Sequence, residues 1–249
     1  MNAETSSHQT GSSFRICGND MQYVEFFLEP AASVIAEPGS MIYKDDGVSF
    51  EASLSTNKNK GFLGRLLGAG KRVLSGEKAF LSVFTNEGAD HARVAFAAPC
   101  PGKIAAIPLN EHNGEIICQK DGFLCADPNT DISVFFQKKI LTALFGGGGF
   151  IMQRLSGNGV VFINGGGSLA ELELGYGETI QVDVGCLVGF TSSVDFGIEG
   201  AGNLKSQIFG GSGVFFATLR GPGKVWVQTL PFSRLAQRVA SRILIRQNK

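Results

Sequence analysis

The sequence predicts an all-β protein, a sandwich or closed barrel built three times over along one chain. Three observations predict it: a glycine-centred motif that recurs, short β-branched and aromatic runs bounded by Gly or Pro, and 34 glycines in 249 residues. That much glycine without a three-residue period reads as many tight turns and excludes collagen. With 43% hydrophobic and 18% charged residues, the chain can fill a packed core and is not a disordered polymer. No apolar run approaches the ~18–20 residues that would span a bilayer.

The repeat is the strongest signal. IAEPGSMIYKDDGVSF from Ile35, ICQKDGFLCADPNTDISVF from Ile117 and IQVDVGCLVGFTSSVDFGI from Ile180 align without gaps on Gly39, Gly122 and Gly185. Two residues later stand Met41, Leu124 and Leu187. A second motif follows in LSGEKAFLSVF, LSGNGVVFIN and LRGPGKVWVQ, with Gly76, Gly157 and Gly221 lying 37, 35 and 36 residues after the first glycines. These six are structural glycines. They divide the chain into a tail (1–13), one β domain of three units (14–98, 102–165 and 168–230) and a C-terminal segment, 231–249.

The elements follow in order. The tail, MNAETSSHQTGSS, is polar and lacks Lys, Arg and an apolar stretch, so it is neither a secretory nor a transit signal and is expected to fray. VFFATL, KVWVQTL and the alternating Glu171–Leu174 read as strands, and IAAIPL and VVFIN as strands buried on both faces. Pro30, Pro38, Pro108 and Pro231 fall at strand ends. Two stretches carry a helical period, GFLGRLLGAGKRVL (Gly61 to Leu74) and QKKILTALF (Gln137 to Phe145). The C-terminus is a third: Ser233 is the expected N-cap, and Leu235, Ala236, Val239, Ala240, Ile243 and Leu244 form a stripe beside Arg234, Arg238, Arg242 and Arg246.

Net charge is zero but unevenly spread. After Glu199 no acid occurs, so the last 50 residues carry +8 and the first 199 carry −8. Either the two parts neutralise each other in the fold or across a subunit contact, or a cationic face meets an anionic partner. Five cysteines (Cys17, Cys100, Cys118, Cys125 and Cys186) form no CxxC pair. An odd set of that kind reads as a reduced, cytoplasmic chain.

The segments GETIQVDVGCLVGF and GEIICQKDGFLCA, with the LSGxGxVF element at Leu155, resemble the altered-inheritance-of-mitochondria, or mitochondrial-biogenesis, family in its bacterial branch. The resemblance covers about Phe14 to Leu230. It implies a double-stranded β-helix-like fold akin to the tryptophan-RNA-binding attenuator protein, with internal threefold duplication and a tendency to oligomerise. It brings no reaction, cofactor or catalytic residue.

The chemistry candidates reduce to structure. His8, His91 and His112 are scattered, and Asp45, Asp46, Asp127 and Asp131 lie in ordinary turn compositions. No GxSxG occurs, and Cys118, Cys125 and Cys186 lie in apolar strands as small hydrophobes. GRLLGAGKR has five residues between its outer glycines and Arg72 where a P-loop needs Ser or Thr, and GGGSLA from Gly165 opens no helix. RNA binding would rest on fold analogy alone, since the basic C-terminal segment holds a single aromatic, Phe232.

What remains is a non-catalytic oligomeric scaffold or interaction protein, without cofactor or metal. Its candidate contact residues are Arg65, Lys71, Arg72, Arg234, Arg238, Arg242 and Arg246. The preferred reading packs their helices on the sandwich or a sister subunit, in a homo-oligomer. The alternative lays them on an anionic membrane surface or an acidic protein. A competing class is a small-ligand binder or enzyme with a pocket inside the β domain.

Overall fold

The computed structural model describes residues 5–7, 12–54, 80–138, 149–200, 215–236 and 238–239. After β1 (Thr5–Ser7) and β2 (Ser12–Cys17), eighteen strands follow in three sets of six. The first set is β3 (Tyr23–Leu28), β4 (Ser33–Ala36), β5 (Met41–Lys44), β6 (Val48–Leu54), β7 (Phe80–Asn86) and β8 (Ala92–Ala97). The second is β9 (Gly102–Pro108), β10 (Glu115–Gln119), β11 (Phe123–Ala126), β12 (Asp131–Lys138), β13 (Phe150–Ser156) and β14 (Val160–Gly166). The third is β15 (Leu169–Leu174), β16 (Thr179–Asp183), β17 (Leu187–Thr191), β18 (Asp195–Gly200), β19 (Phe215–Arg220) and β20 (Gly223–Gln228).

Every set pairs its strands alike. The first strand pairs with the sixth, the sixth with the third, the fourth with the fifth and the fifth with the second, all antiparallel. Neighbouring units join through the second strand of one and the third strand of the next, β4 to β11 and β10 to β17. The result is four sheets, ordered β1-β2-β3-β8-β5, β6-β7-β4-β11-β14-β9, β12-β13-β10-β17-β20-β15 and β16-β19-β18. The all-β, internally repeated class is thus the observed one.

Three cores fill the spaces between successive sheets. Val24, Phe26 and Phe96 of the first sheet meet Val34, Phe84 and Phe162 of the second, with Phe14 edge-on to Phe162 at 4.8 Å. Ile35, Val83 and Val161 meet Ile116, Leu155 and Trp226. Ile117, Met152 and Val225 meet Ala217 and Leu219. Consecutive residues of β4 and β10 therefore enter different cores, so both faces of the second and third sheets are buried. That explains apolar runs where alternation would mark a half-wet strand. Each fully buried Phe contributes about 2–3 kcal/mol relative to exposure.

The end sheets bury one face only. On the outer face of the first, Arg15, Glu25, Ala95 and Tyr43 stand in one cross-strand row. On that of the fourth, Thr179, Gln181, Thr218, Arg220 and Asp195 share a face opposite the core residues Leu219 and Ala217. Polar outer faces end the stack, as capping repeats end a solenoid.

Register refines the repeat. β-Bulges recur in the third strands, between Met41 and Tyr43, Phe123 and Cys125, and Leu187 and Gly189. They make Ile42, Leu124 and Val188 counterparts, so the second unit slips by one residue against the gap-free alignment. Gly157 and Gly221 follow β13 and β19, whereas the β7–β8 turn contains Gly88; Gly76 lies outside the described residues.

Other expectations shift. Part of the tail pairs as β1 with β2, and Gln137 and Lys138 belong to β12; the rest of that helical stretch, and Gly61 to Leu74, lie outside the described residues. The C-terminal helix covers 232–236 and 238–239. The Pro231 carbonyl accepts from the Arg234 and Leu235 amides, so Ser233 sits inside the first turn and is not its cap. Among the described residues no helix is long and apolar enough to cross a membrane.

Candidate functional site

The turns that carry the repeated glycines converge on one pocket of about 530 Å³. From the first unit come Glu37, Pro38, Gly39 and Ser40, and from the second Gln119, Asp121, Gly122 and Leu124. Gly185 comes from the third. The sixth strands and the segments after them complete the wall: Pro99 and Cys100 follow β8, Asn164 and Gly166 lie in β14, and Leu230 to Ser233 follow β20. Three distant stretches of sequence thus meet because the units are alike.

Local chemistry sets each turn. Gly39 has φ +85°, which only glycine adopts without strain, and the Ser40 hydroxyl donates to the Glu37 carbonyl at 2.7 Å. At Gly122 a Cβ would stand 3.1 Å from a Val188 methyl of the next unit, so close approach is the constraint there. The Gly185 amide donates to Asp183 Oδ1 at 2.8 Å. Side-chain amides tie the sixth strands to these turns: Asn164 donates to the Gly122 carbonyl at 3.2 Å and Gln228 to the Gly185 carbonyl at 2.8 Å.

Two carboxyls give the pocket its electrostatics. Glu37 is half-buried, and that burial pushes it up to about 7 against the pull of Lys120, with Asp121 adding to the rise. Asp121, at a rim open to solvent, is raised in the same direction by its surroundings, against Lys120. Burial, then Asp121, also raises the Cys100 thiol, so it is no activated nucleophile. Beside these groups the lining joins the amides of Gln119, Asn164 and Gln228 to an apolar part from Leu124, Leu230 and Phe232. Such a pocket can receive a group that is cationic at one end and apolar at the other.

Of the predicted contact residues only Arg234 and Arg238 fall within the described residues. Arg65, Lys71, Arg72, Arg242 and Arg246 lie outside the described residues. Arg234 holds Asp183 at 2.9 Å, and Arg238 is exposed one turn on. With Lys224 bound to Glu171 at 2.7 Å, two of the late cations are neutralised by acids of the first 199 residues. Other candidates have structural partners. Asp45 takes three hydrogen bonds from Arg93, Asp127 accepts from the Val160 amide, and burial raises the Cys118 and Cys125 thiols. His91 meets Glu29 at 2.9 Å, and His112 stands edge-on to Trp226. Among the described residues no three His, Cys, Asp or Glu side chains form a metal-binding group.

The model of the mitochondrial biogenesis AIM24 family matches residues 14–230. The chain belongs to that family. An uncharacterized protein of Streptococcus pyogenes serotype M6 is 32% identical over 216 residues, which is 86% of this chain and 83% of the relative. A crystal structure of another Streptococcus pyogenes protein superposes with a TM-score of 0.73 at 27% identity, covering 93% of this chain and 99% of that one. The AIM24 likeness thus spans all three units. The pocket was not legible in the sequence: Glu37, Cys100 and Asp121 share no motif, and the recurrence of Gly39, Gly122 and Gly185 marks a repeat without saying that its turns meet.

Proposed function

We propose that this AIM24 protein is a non-catalytic binding protein whose central pocket takes a small organic cation with an apolar body. The observation that carries this reading is the convergence of all three units on one partly apolar pocket holding the Glu37 carboxyl. Among the described residues its lining offers carboxyls, amides and apolar side chains, a set that supports binding.

Calorimetric titration with 2-phenylethylamine, and with 2-phenylethanol as its neutral counterpart, tests the idea. The amine is expected to bind and the alcohol not. With Glu37 titrating near 7, amine affinity should rise about tenfold from pH 6 to pH 8. Glu37→Gln should abolish that rise. Equal binding of the alcohol, or a pH response that survives in Glu37→Gln, would refute the assignment.

A second reading is favoured by Leu230, Phe232 and Val239, which are 38%, 66% and 52% exposed around the basic C-terminal turn. They suit docking on an anionic membrane surface. Phosphatidylserine vesicles should then sediment the full chain but not one ending at Leu230; equal sedimentation would exclude it.

A further inference from the structure

Among the described residues two strands lack a partner that their counterparts possess. Inside the chain the second strand of a unit pairs with the third strand of the next, once as β4 with β11 and once as β10 with β17. The second strand of the last unit, β16, and the third strand of the first unit, β5, are both left as sheet edges. Among the described residues no ladder joins them. Along that open edge Met41 and Ile42 of β5 are 40% and 50% exposed.

We infer that β16 of one copy pairs with β5 of another, making between molecules the junction that the chain makes twice within itself. The register follows from the internal examples. Ala36 stands opposite Cys125 and Ile35 opposite Ala126; Cys118 stands opposite Gly189 and Ile117 opposite Phe190. Carried over, Val182 lies opposite Tyr43 and Gln181 opposite Lys44. The joined sheet runs β18-β19-β16 into β5-β8-β3, the order found in the second and third sheets. The polar outer faces stay in water on opposite sides of it, so the contact is an edge-to-edge ladder and not a further sandwich. An open edge of this kind is a template for strand addition. Because the two edges differ, the association is head-to-tail and closes into a ring or runs on as a filament. It does not depend on the pocket's ligand.

Directed cross-linking tests it. Full-length chains with Cys17, Cys100 and Cys186 replaced by Ser carry either Lys44→Cys or Gln181→Cys; circular dichroism confirms that each folds. Directly opposed cross-strand residues lie close enough for a disulfide after small adjustment, so mild oxidation of the mixture should yield heterodimer about fivefold above either homodimer. Sedimentation velocity of the unmodified protein should show species that grow with concentration. A heterodimer no more abundant than the homodimers, a monomer at every concentration, or a disulfide that closes within one chain carrying both cysteines would each overturn the assignment.

Discussion

Glu37 illustrates how much one side chain's setting can matter. Its carboxyl rises from an ordinary 4.5 to about 7, first because burial disfavours the charge. The folded protein therefore holds a proton that the unfolded chain releases between those values. Stability from this group is complete below about 4.5 and is lost as pH climbs to about 7. Solvent at the pocket mouth weakens the effect, so Glu37→Gln should be more stable than the parent by about 1 kcal/mol at pH 8. Urea denaturation at pH 5 and pH 8 measures it: the parent should lose stability between the two and the variant should not. An unchanged pH response in the variant would show that another group is responsible.

At the scale of the strand, the row Arg15, Glu25, Ala95 and Tyr43 shows how an outer face accommodates a buried charge. Glu25 is 1% exposed although it points away from the core. Arg15 meets it at 2.5 Å, and the Tyr43 hydroxyl, reaching across the small Ala95, donates to its other oxygen. Removing Arg15 alone strands that carboxylate, so Arg15→Ala should destabilise the fold, while Arg15→Met with Glu25→Gln should recover most of the loss. Chemical denaturation of the single and double variants decides; equal losses would mean that the pair is not coupled. Sequence reasoning reached the strands at this scale and missed their partners. VVFIN was legible as doubly buried because apolar residues run on without alternation. The one-residue slip in the second unit was not, since Gly122 stands four residues after Cys118 whereas Gly39 and Gly185 stand three after Ala36 and Val182, and only strand register reveals those counterparts. Gln137 and Lys138 carry a helical period yet belong to β12, where pairing with β13 outweighs local preference.

Across the whole molecule the second and third sheets each serve two cores, and Trp226 of the last unit packs into the core of the middle one. The units therefore cannot melt separately. Trp226 is the chain's single tryptophan and 2% exposed, so its fluorescence reports that shared core. Its transition in urea should coincide with that of far-UV circular dichroism, giving one two-state curve. A fluorescence change that precedes or follows loss of the sheets would show independent units. The number of units was visible in the sequence through Gly122, Gly157, Gly185 and Gly221. Their layering was not, because which face of a strand meets which neighbour depends on register.

The two painted ends also set a limit on growth by gene duplication. A fourth module spliced in after Gln228 would have to lie against Gln181 and Thr218, and one placed ahead of Tyr23 against Arg15 and Glu25. Each surface offers only isolated rings, Phe27 beneath the Arg15 guanidinium on one and Phe216 between Asp183 and Glu199 on the other, set among charged and hydroxyl neighbours. Lengthening this chain by one repeat would first require repainting an end, so its count of three is inscribed in a handful of hydrophilic side chains.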